Sequence, residues 1–259
     1  MAIPRFLVRR GSPLEIWSDN GTNFIGTSRE LKEQLSQINQ QQSTATLLQD
    51  RLALGATASC QDVASSPDGV YKISPVAASI RPFPVYCENS IEGGGWTVIH
   101  RRYDNSVRFD RTWAEYKNGF GDLRREFWLG LEKMHQITRI GDHELLIIAK
   151  TINGTARTGR FDRFGVENEY ARYRLQVGRK IGGNLSDQLS LHDGKEFSTQ
   201  DNDRSANKCA HFNGWWYVNC ALVDLNRPMD FPQNGMTWYE DTGYRTSRSS
   251  NAHKENHAR

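Results

Sequence analysis

The stretch that most limits what this chain can become lies near its carboxyl end. Cys209 and Cys220 bracket Phe212, Trp215, Trp216 and Tyr217, and just ahead of them Asp201 and Asp203 alternate with Asn202, Ser205 and Asn207. Carboxylates at alternate positions in a polar turn rich in carbonyls suit a hard cation that takes oxygen ligands, which points to calcium. The spacing opens as an EF-hand loop does. Ala206, however, stands where that loop needs glycine and Phe212 where it needs a bidentate glutamate, so an EF-hand is excluded. The bulky aromatics must either be buried or line a pocket. The plainer alternative is a solvated acidic turn beside an ordinary aromatic core.

The chain of 259 residues contains four cysteines, Cys60, Cys87, Cys209 and Cys220. With no Cys-x-x-Cys and no histidine ligands interleaved at zinc-site spacing, an even count favours two disulfides over zinc, and three pairings remain open. Structural disulfides place a protein in an oxidising compartment. Asn153-Gly154-Thr155 and Asn184-Leu185-Ser186 are glycosylation acceptors consistent with secretion. The residues after Met1 supply no apolar core of roughly 7–15 positions, so no leader peptide is visible. No run approaches the ~18 apolar residues of a membrane helix, and no membrane span is expected. The net charge of +3 is matched by Arg245, Arg248, Lys254 and Arg259 set against Glu255, so the rest is neutral and carries no nucleic-acid footprint.

The motifs in between are more specific. Phe197-Ser198-Thr199, the Asp-x-Asp, Cys209-Ala210, Gly214-Trp215-Trp216 and Cys220 resemble the calcium-loop region of the fibrinogen C-terminal domain family, which includes ficolins, tachylectins and angiopoietins. Val85-Tyr86-Cys87, Gly93-Gly94-Gly95-Trp96-Thr97-Val98, Arg101-Arg102, Phe120-Gly121-Asp122, Glu126–Leu131 and Tyr173-Arg174-Leu175 match it in the same order, over roughly residues 58–244. The resemblance implies that Cys60 pairs with Cys87 and Cys209 with Cys220. It implies Ca2+ held by Asp201 and Asp203 with the carbonyls of Ser205 and Asn207. Two carboxylates fit a dissociation constant on the order of 0.1–1 mM. It also implies a ligand pocket beside the loop, with Asn219-Cys220 at a non-proline cis peptide and Tyr217, Trp238 and Tyr239 as an apolar wall. Phe212, Asn213, Ala221, Pro232, Gln233 and Tyr244 depart from the family's pocket pattern, and the competing reading makes these aromatics core and the pocket vestigial.

Residues 1–50 read differently. Arg5-Phe6, Arg9-Arg10-Gly11-Ser12-Pro13, Ile16–Phe24 and Arg29-Glu30-Leu31-Lys32 resemble the middle of a BEL/Pao-type retroelement integrase core, with Asp19 matching its second catalytic carboxylate. One carboxylate cannot run two-metal phosphoryl transfer, so a fragment without catalysis is expected. Leu31, Leu35, Ile38, Gln42, Ala45, Gln49 and Leu52 also follow a heptad, which would make a short and marginal coiled coil. The junction falls within 47–59. At the other end, the resemblance implies a closing strand that Thr242–Arg259 does not supply. A disordered basic tail at 245–259 and an open position in the sheet are therefore expected.

The fold expected is α+β: a twisted, mainly antiparallel sheet, short helices and long loops. Strands are expected at Val70–Ile73, Pro82–Cys87, Trp96–Arg102, Glu144–Ala149, Phe161–Val166 and Tyr173–Val177, and helical turns at Trp113–Phe120 and Leu131–Ile137. No nucleophile elbow, His-Glu-x-x-His or Walker loop occurs, so no enzyme is expected. The function implied is a calcium-dependent, extracellular, lectin-like recognition module for acetylated glycans, of an innate-immunity type and able to self-associate. The alternatives are a ligand for a protein receptor without sugar affinity, and a fused gene product in which neither half works fully.

Overall fold

A short continuous apolar run flanked by charge reads as a strand buried on both faces. Three such runs, RFLVRR, WTVIHR and HELLIIAK, form the centre of this molecule. The computed structural model describes residues 5–10, 32–34, 36–42, 55–75, 81–150, 155–228 and 236–239. In chain order the strands are β1 (Arg5–Arg10), β2 (Gly69–Ile73), β3 (Phe83–Glu88), β4 (Trp96–Arg101), β5 (Phe120–Gly121), β6 (Phe127–Trp128) and β7 (His143–Lys150). They continue with β8 (Ala156–Phe161), β9 (Phe164–Val166), β10 (Leu175–Val177), β11 (Lys180–Gly182), β12 (Val223–Asp224) and β13 (Thr237–Trp238). Two helices, α1 (Trp113–Asn118) and α2 (Leu131–Thr138), and three single 3-10 turns complete the labelled elements.

The main sheet runs β11-β8-β7-β1-β4-β3-β2, with β6 paired to β4 and β5 to β6. Every pairing along it is antiparallel. The sheet order departs from one expectation. The amino-terminal strand β1 lies between β4 and β7, pairing Phe6 with His100 and Leu7 with Val98 on one side, and Phe6 with Ile147 and Leu7 with Leu146 on the other. The sheet centre is therefore filled, and residues 5–10 do not belong to a separate fragment. The physical reason is the triplet Phe6-Leu7-Val8, at 5%, 0% and 1% exposure. Three consecutive apolar residues can be hidden together only in a strand buried on both faces. Between Phe6 and Leu7 the register slips, so Ile99 has no partner on β1, and the Ile99 carbonyl instead accepts the Leu129 N–H at 3.0 Å.

Residues 32–34 and 36–42 are helical and exposed, and Ile38 is half exposed, so the described part of the heptad seam faces solvent. Asp19, the expected junction up to residue 54 and the tail 245–259 lie outside the described residues. The globe resumes at Gly55. Thr57 bridges Ile73, and the Asp62 carboxylate accepts the N–H groups of Ala58 and Ser59 at 2.7 and 3.1 Å. The triple glycine turns through φ values of 81°, 77° and 76°, and a Cβ on Gly94 would lie 2.9 Å from the Ala64 carbonyl oxygen. Only glycine fits that approach.

Most expected strands and both helices fall within a residue or two of their observed bounds. The span Phe161–Val166 instead breaks at residues 162–163 into the ends of β8 and β9, and Tyr173 takes a left-handed φ of 49° before β10 begins. The disulfides join Cys60 to Cys87 and Cys209 to Cys220. No helix among the described residues is long and apolar enough to cross a membrane.

Candidate functional site

The loop after Phe197 is held at both ends before any ligand is considered. Ser198 and Trp215 exchange backbone hydrogen bonds at 3.0 and 3.1 Å, and the disulfide ties Cys209 to Cys220. Beneath it Phe197, Trp215, Trp216, Trp128 and Tyr116 form a buried aromatic stack with ring centroids 5.0–5.9 Å apart. Edge and tilted contacts of this kind add to area burial and fix ring positions. Phe6 of β1 reaches the same stack, 6.1 Å from Trp215. The amino-terminal strand thus supports the loop from below.

Within the loop each carboxylate already has work. Asp201 accepts the backbone N–H of Trp113, the first residue of α1, at 2.9 and 3.2 Å, and the Thr199 hydroxyl at 2.8 Å. A carboxylate at a helix start complements orphan N–H groups and the local dipole. Asp203 accepts the Ser205 N–H and hydroxyl at 2.8 and 2.6 Å on one oxygen and the Ala210 N–H at 3.1 Å on the other. Partial burial raises the Asp203 carboxyl, but the bonds from Ser205 and Ala210 and the nearby Lys208 outweigh it and hold the group below its ordinary value. Lys208, in a left-handed turn at φ 52°, donates to the Asp203 carbonyl at 3.1 Å.

An ionised carboxylate offers about four lone-pair positions. These bonds leave lone pairs on both carboxylates, and Asp201 and Asp203 with the carbonyls of Ser205 and Asn207 are the residues that would hold a calcium ion. Among the described residues no three His, Cys, Asp or Glu side chains gather for a metal, so a cation here would depend on two carboxylates, carbonyls and water.

The pocket residues separate into two groups. Tyr217 is 4% exposed and donates its hydroxyl to the Asn213 carbonyl at 3.0 Å; Trp238 is 1% exposed and donates its indole N–H to the Ser186 carbonyl at 3.1 Å. Both belong to the core. Asn219 and Tyr239 are exposed, and Asn219 accepts a short hydrogen bond from the Asn207 side chain, which joins the two ends of the loop. The Asn219–Cys220 peptide is trans, in contrast to the expected cis bond. The chain turns there through a φ of 23° at Cys220, closed by the Val218 N–H on the Cys220 carbonyl at 2.9 Å. Phe212 is exposed, whereas Asn213 is buried and donates to Asp224 at 2.8 Å. Pro232, Gln233, Tyr244 and the acceptor Asn153 lie outside the described residues, while Asn184 is exposed with its side-chain oxygen on the Thr158 N–H.

Two residues that the sequence did not single out complete the site. His192 is fully buried, donates Nδ1–H to the Trp216 carbonyl at 2.7 Å and accepts the Val223 N–H on Nε2 at 3.1 Å. It joins the aromatic loop to β12 as a neutral ring, and burial pushes its pKa down. Arg172 stacks 4.9 Å over Trp113 and donates to the Asn202 carbonyl at 3.0 Å. A lone histidine or arginine in a polar stretch gives no periodic signal, so neither role could be read from spacing. His100 and His143 are both buried.

Comparison with known proteins fits this geometry. The model of the C-terminal globular domain of fibrinogen beta and gamma chains matches residues 56–254. The chain belongs to that family. Mouse angiopoietin-related protein 6 is 45% identical over 170 residues, which is 64% of this chain and 35% of that protein. Ryncolin-4 of Cerberus rynchops is 38% identical over 200 residues, 73% of this chain and 57% of the relative. The chain thus spans about a third to three fifths of these relatives' length. Among solved structures, the fibrinogen-like globe domain of human ANGPTL6 superposes with a TM-score of 0.67 at 38% identity, covering 73% of this chain and 90% of the globe. A lamprey fibrin D-dimer complexed with the peptide Gly-His-Arg-Pro-amide superposes at 0.65 and 28% identity, covering 83% of this chain and 84% of that one.

Proposed function

We propose that this fibrinogen-related globe is a non-catalytic extracellular binding module that presents its loop face to a protein partner. One observation carries the choice: Tyr217 and Trp238, the aromatics expected to line a sugar cleft, spend their polar groups inside the core. Phe212 within the loop and Tyr239 after it are exposed at 54% and 42%, and the loop also exposes the polar Asn207–Asn219 pair. Aromatic anchors in a polar rim suit protein recognition. The similarity to angiopoietin-related proteins supports the same class, and the disulfides support an oxidising, extracellular setting. Calcium at Asp201, Asp203, Ser205 and Asn207 would stiffen the loop and add a local positive charge, without touching the partner.

The likeness of the amino-terminal residues to an integrase core carries no catalysis in this reading, since Asp19 has no partner carboxylates in the integrase pattern. The lectin-like reading is the second one, supported by the loop's fit to calcium. Passing the protein over acetylated agarose in calcium separates the two. The protein-ligand reading expects flow-through. Retention that free N-acetylglucosamine or chelator reverses would overturn it.

A further inference from the structure

Strand β1 stands apart from every other strand of the sheet in how it reaches its place. It lies outside the family-matched residues 56–254, and about 44 residues, positions 11–54, separate it from the start of the globe. With residues 32–34 and 36–42 helical, that length can still reach about 130 Å, so the connection imposes little on where the strand docks. Its strand pairing is wholly non-local: among the described residues β1 pairs with β4 and β7, each more than 80 positions away. Without it the sheet would divide into β11-β8-β7 and β4-β3-β2, each with a bare inner edge.

The channel between those edges reads the strand's side chains one by one. Phe6 sits edge-on to His100 at 5.4 Å and to Trp215 at 6.1 Å. Leu7 and Val8 are fully buried. The ends are held by charge: Arg5 donates to Glu88 at 2.5 Å, and Arg9 pairs with Glu144 at 3.5 Å while stacking 4.7 Å over Trp96 and donating to the Glu92 carbonyl at 3.1 Å. Two basic ends matched to two carboxylates, with an aromatic and two aliphatics between, form a sequence-specific register lock. A one-residue slip would put an arginine in the core. Backbone pairing along both edges with alternate side chains in pockets is how a sheet binds an extended peptide.

We propose that the channel between β4 and β7 is a peptide-binding site of the globe, and that residues 5–10 of this chain occupy it as a separable ligand. The ligand class is an extended peptide with basic ends and an aromatic-aliphatic centre. Its affinity comes from main-chain pairing on both edges, and its register from Glu88 and Glu144. The Phe6–Trp215 contact makes occupancy felt at the base of the loop.

The test uses the full chain with a protease recognition sequence placed at residues 43–50. After folding and cutting, the two pieces should co-elute on size exclusion, and excess synthetic peptide of residues 1–12 should displace the cut amino-terminal piece. A peptide with Arg5→Glu and Arg9→Glu should compete at least tenfold less well, and one with Phe6→Ala and Leu7→Ala should not compete. If the cut piece separates on its own, with the globe either folded or collapsed, the strand is no ligand and the proposal fails. It fails equally if the pieces stay together but neither the wild-type peptide nor its variants affect the pairing.

Discussion

Replacing Asp201 with alanine should weaken the protein before calcium enters. Its carboxylate receives the Trp113 N–H at the start of α1 and the Thr199 hydroxyl. Thr112 is the N-cap of α1, so Asp201 adds a charge-assisted bond to the first turn, and its loss costs about 0.5–2 kcal/mol. For a folded unit of this size each kcal/mol moves Tm by roughly 2–4 °C. In chelator, Asp201→Ala should therefore melt about 1–8 °C below the wild type, whereas Asp201→Asn, which keeps an acceptor oxygen, should lose less than half of that. Calcium held as proposed should add a separate increment. With a dissociation constant on the order of 0.1–1 mM, calcium at ten times that value stabilises by about 1.4 kcal/mol, again a few degrees. Asp201→Ala combined with Asp203→Ala should abolish that increment and leave both disulfides intact. Differential scanning calorimetry with and without calcium reads both effects. Equal melting of Asp201→Ala and wild type in chelator would refute the role at the helix start. A calcium increment that survives the double substitution would refute the ligand assignment.

Acid should destabilise the protein early. His192 and His100 are buried, and burial lowers both pKa values, joined at His100 by the charge of Arg102. The unfolded chain then binds more protons below about pH 6.5, so stability is full above that value and falls beneath it by up to about 1.4 kcal/mol per pH unit for each ring; urea titrations between pH 7.5 and 5 check this. Leu7→Ala removes a fully buried side chain from the sheet centre and should cost about 2–5 kcal/mol, read as a lower urea midpoint at unchanged slope. Serine at Cys60 and Cys87, which are 27 residues apart, should cost somewhat more than serine at Cys209 and Cys220, which are 11 apart; loop-entropy values of about 3.5 and about 3 kcal/mol set the order, to be read from melting of the two double variants.

The globe was largely legible because its signals are local. Gly93–Gly95 before Trp96-Thr97-Val98, the turn at Asp68-Gly69 and the apolar run in β7 each specify their own element, and the family motifs then fixed the disulfide pairing. What failed was non-local. Arg5–Arg10 carries the pattern of a core strand, but its partners lie more than 80 residues away, and the likeness of these and the following residues to an integrase drew the whole segment into a separate unit. Composition could not tell a pocket wall from a core either. Tyr217 and Trp238 are equally suited to both, and only the bonds to Asn213 and Ser186 decide between them. His192 and Arg172 were missed for the same reason, since their roles rest on backbone carbonyls that no side-chain pattern reveals.

The central claim is that residues on both sides of the long connection form one folded unit, with β1 closing the sheet that carries the loop. Amide hydrogen exchange on the intact chain tests it directly. Phe6, Leu7 and Val8 should be protected to the same degree as Val98 and Ile147, the strands on either side, and should open together with them in denaturant. Exchange of Phe6–Val8 within the dead time, while β4 and β7 remain protected, would show a sheet that folds without its central strand and would contradict the account.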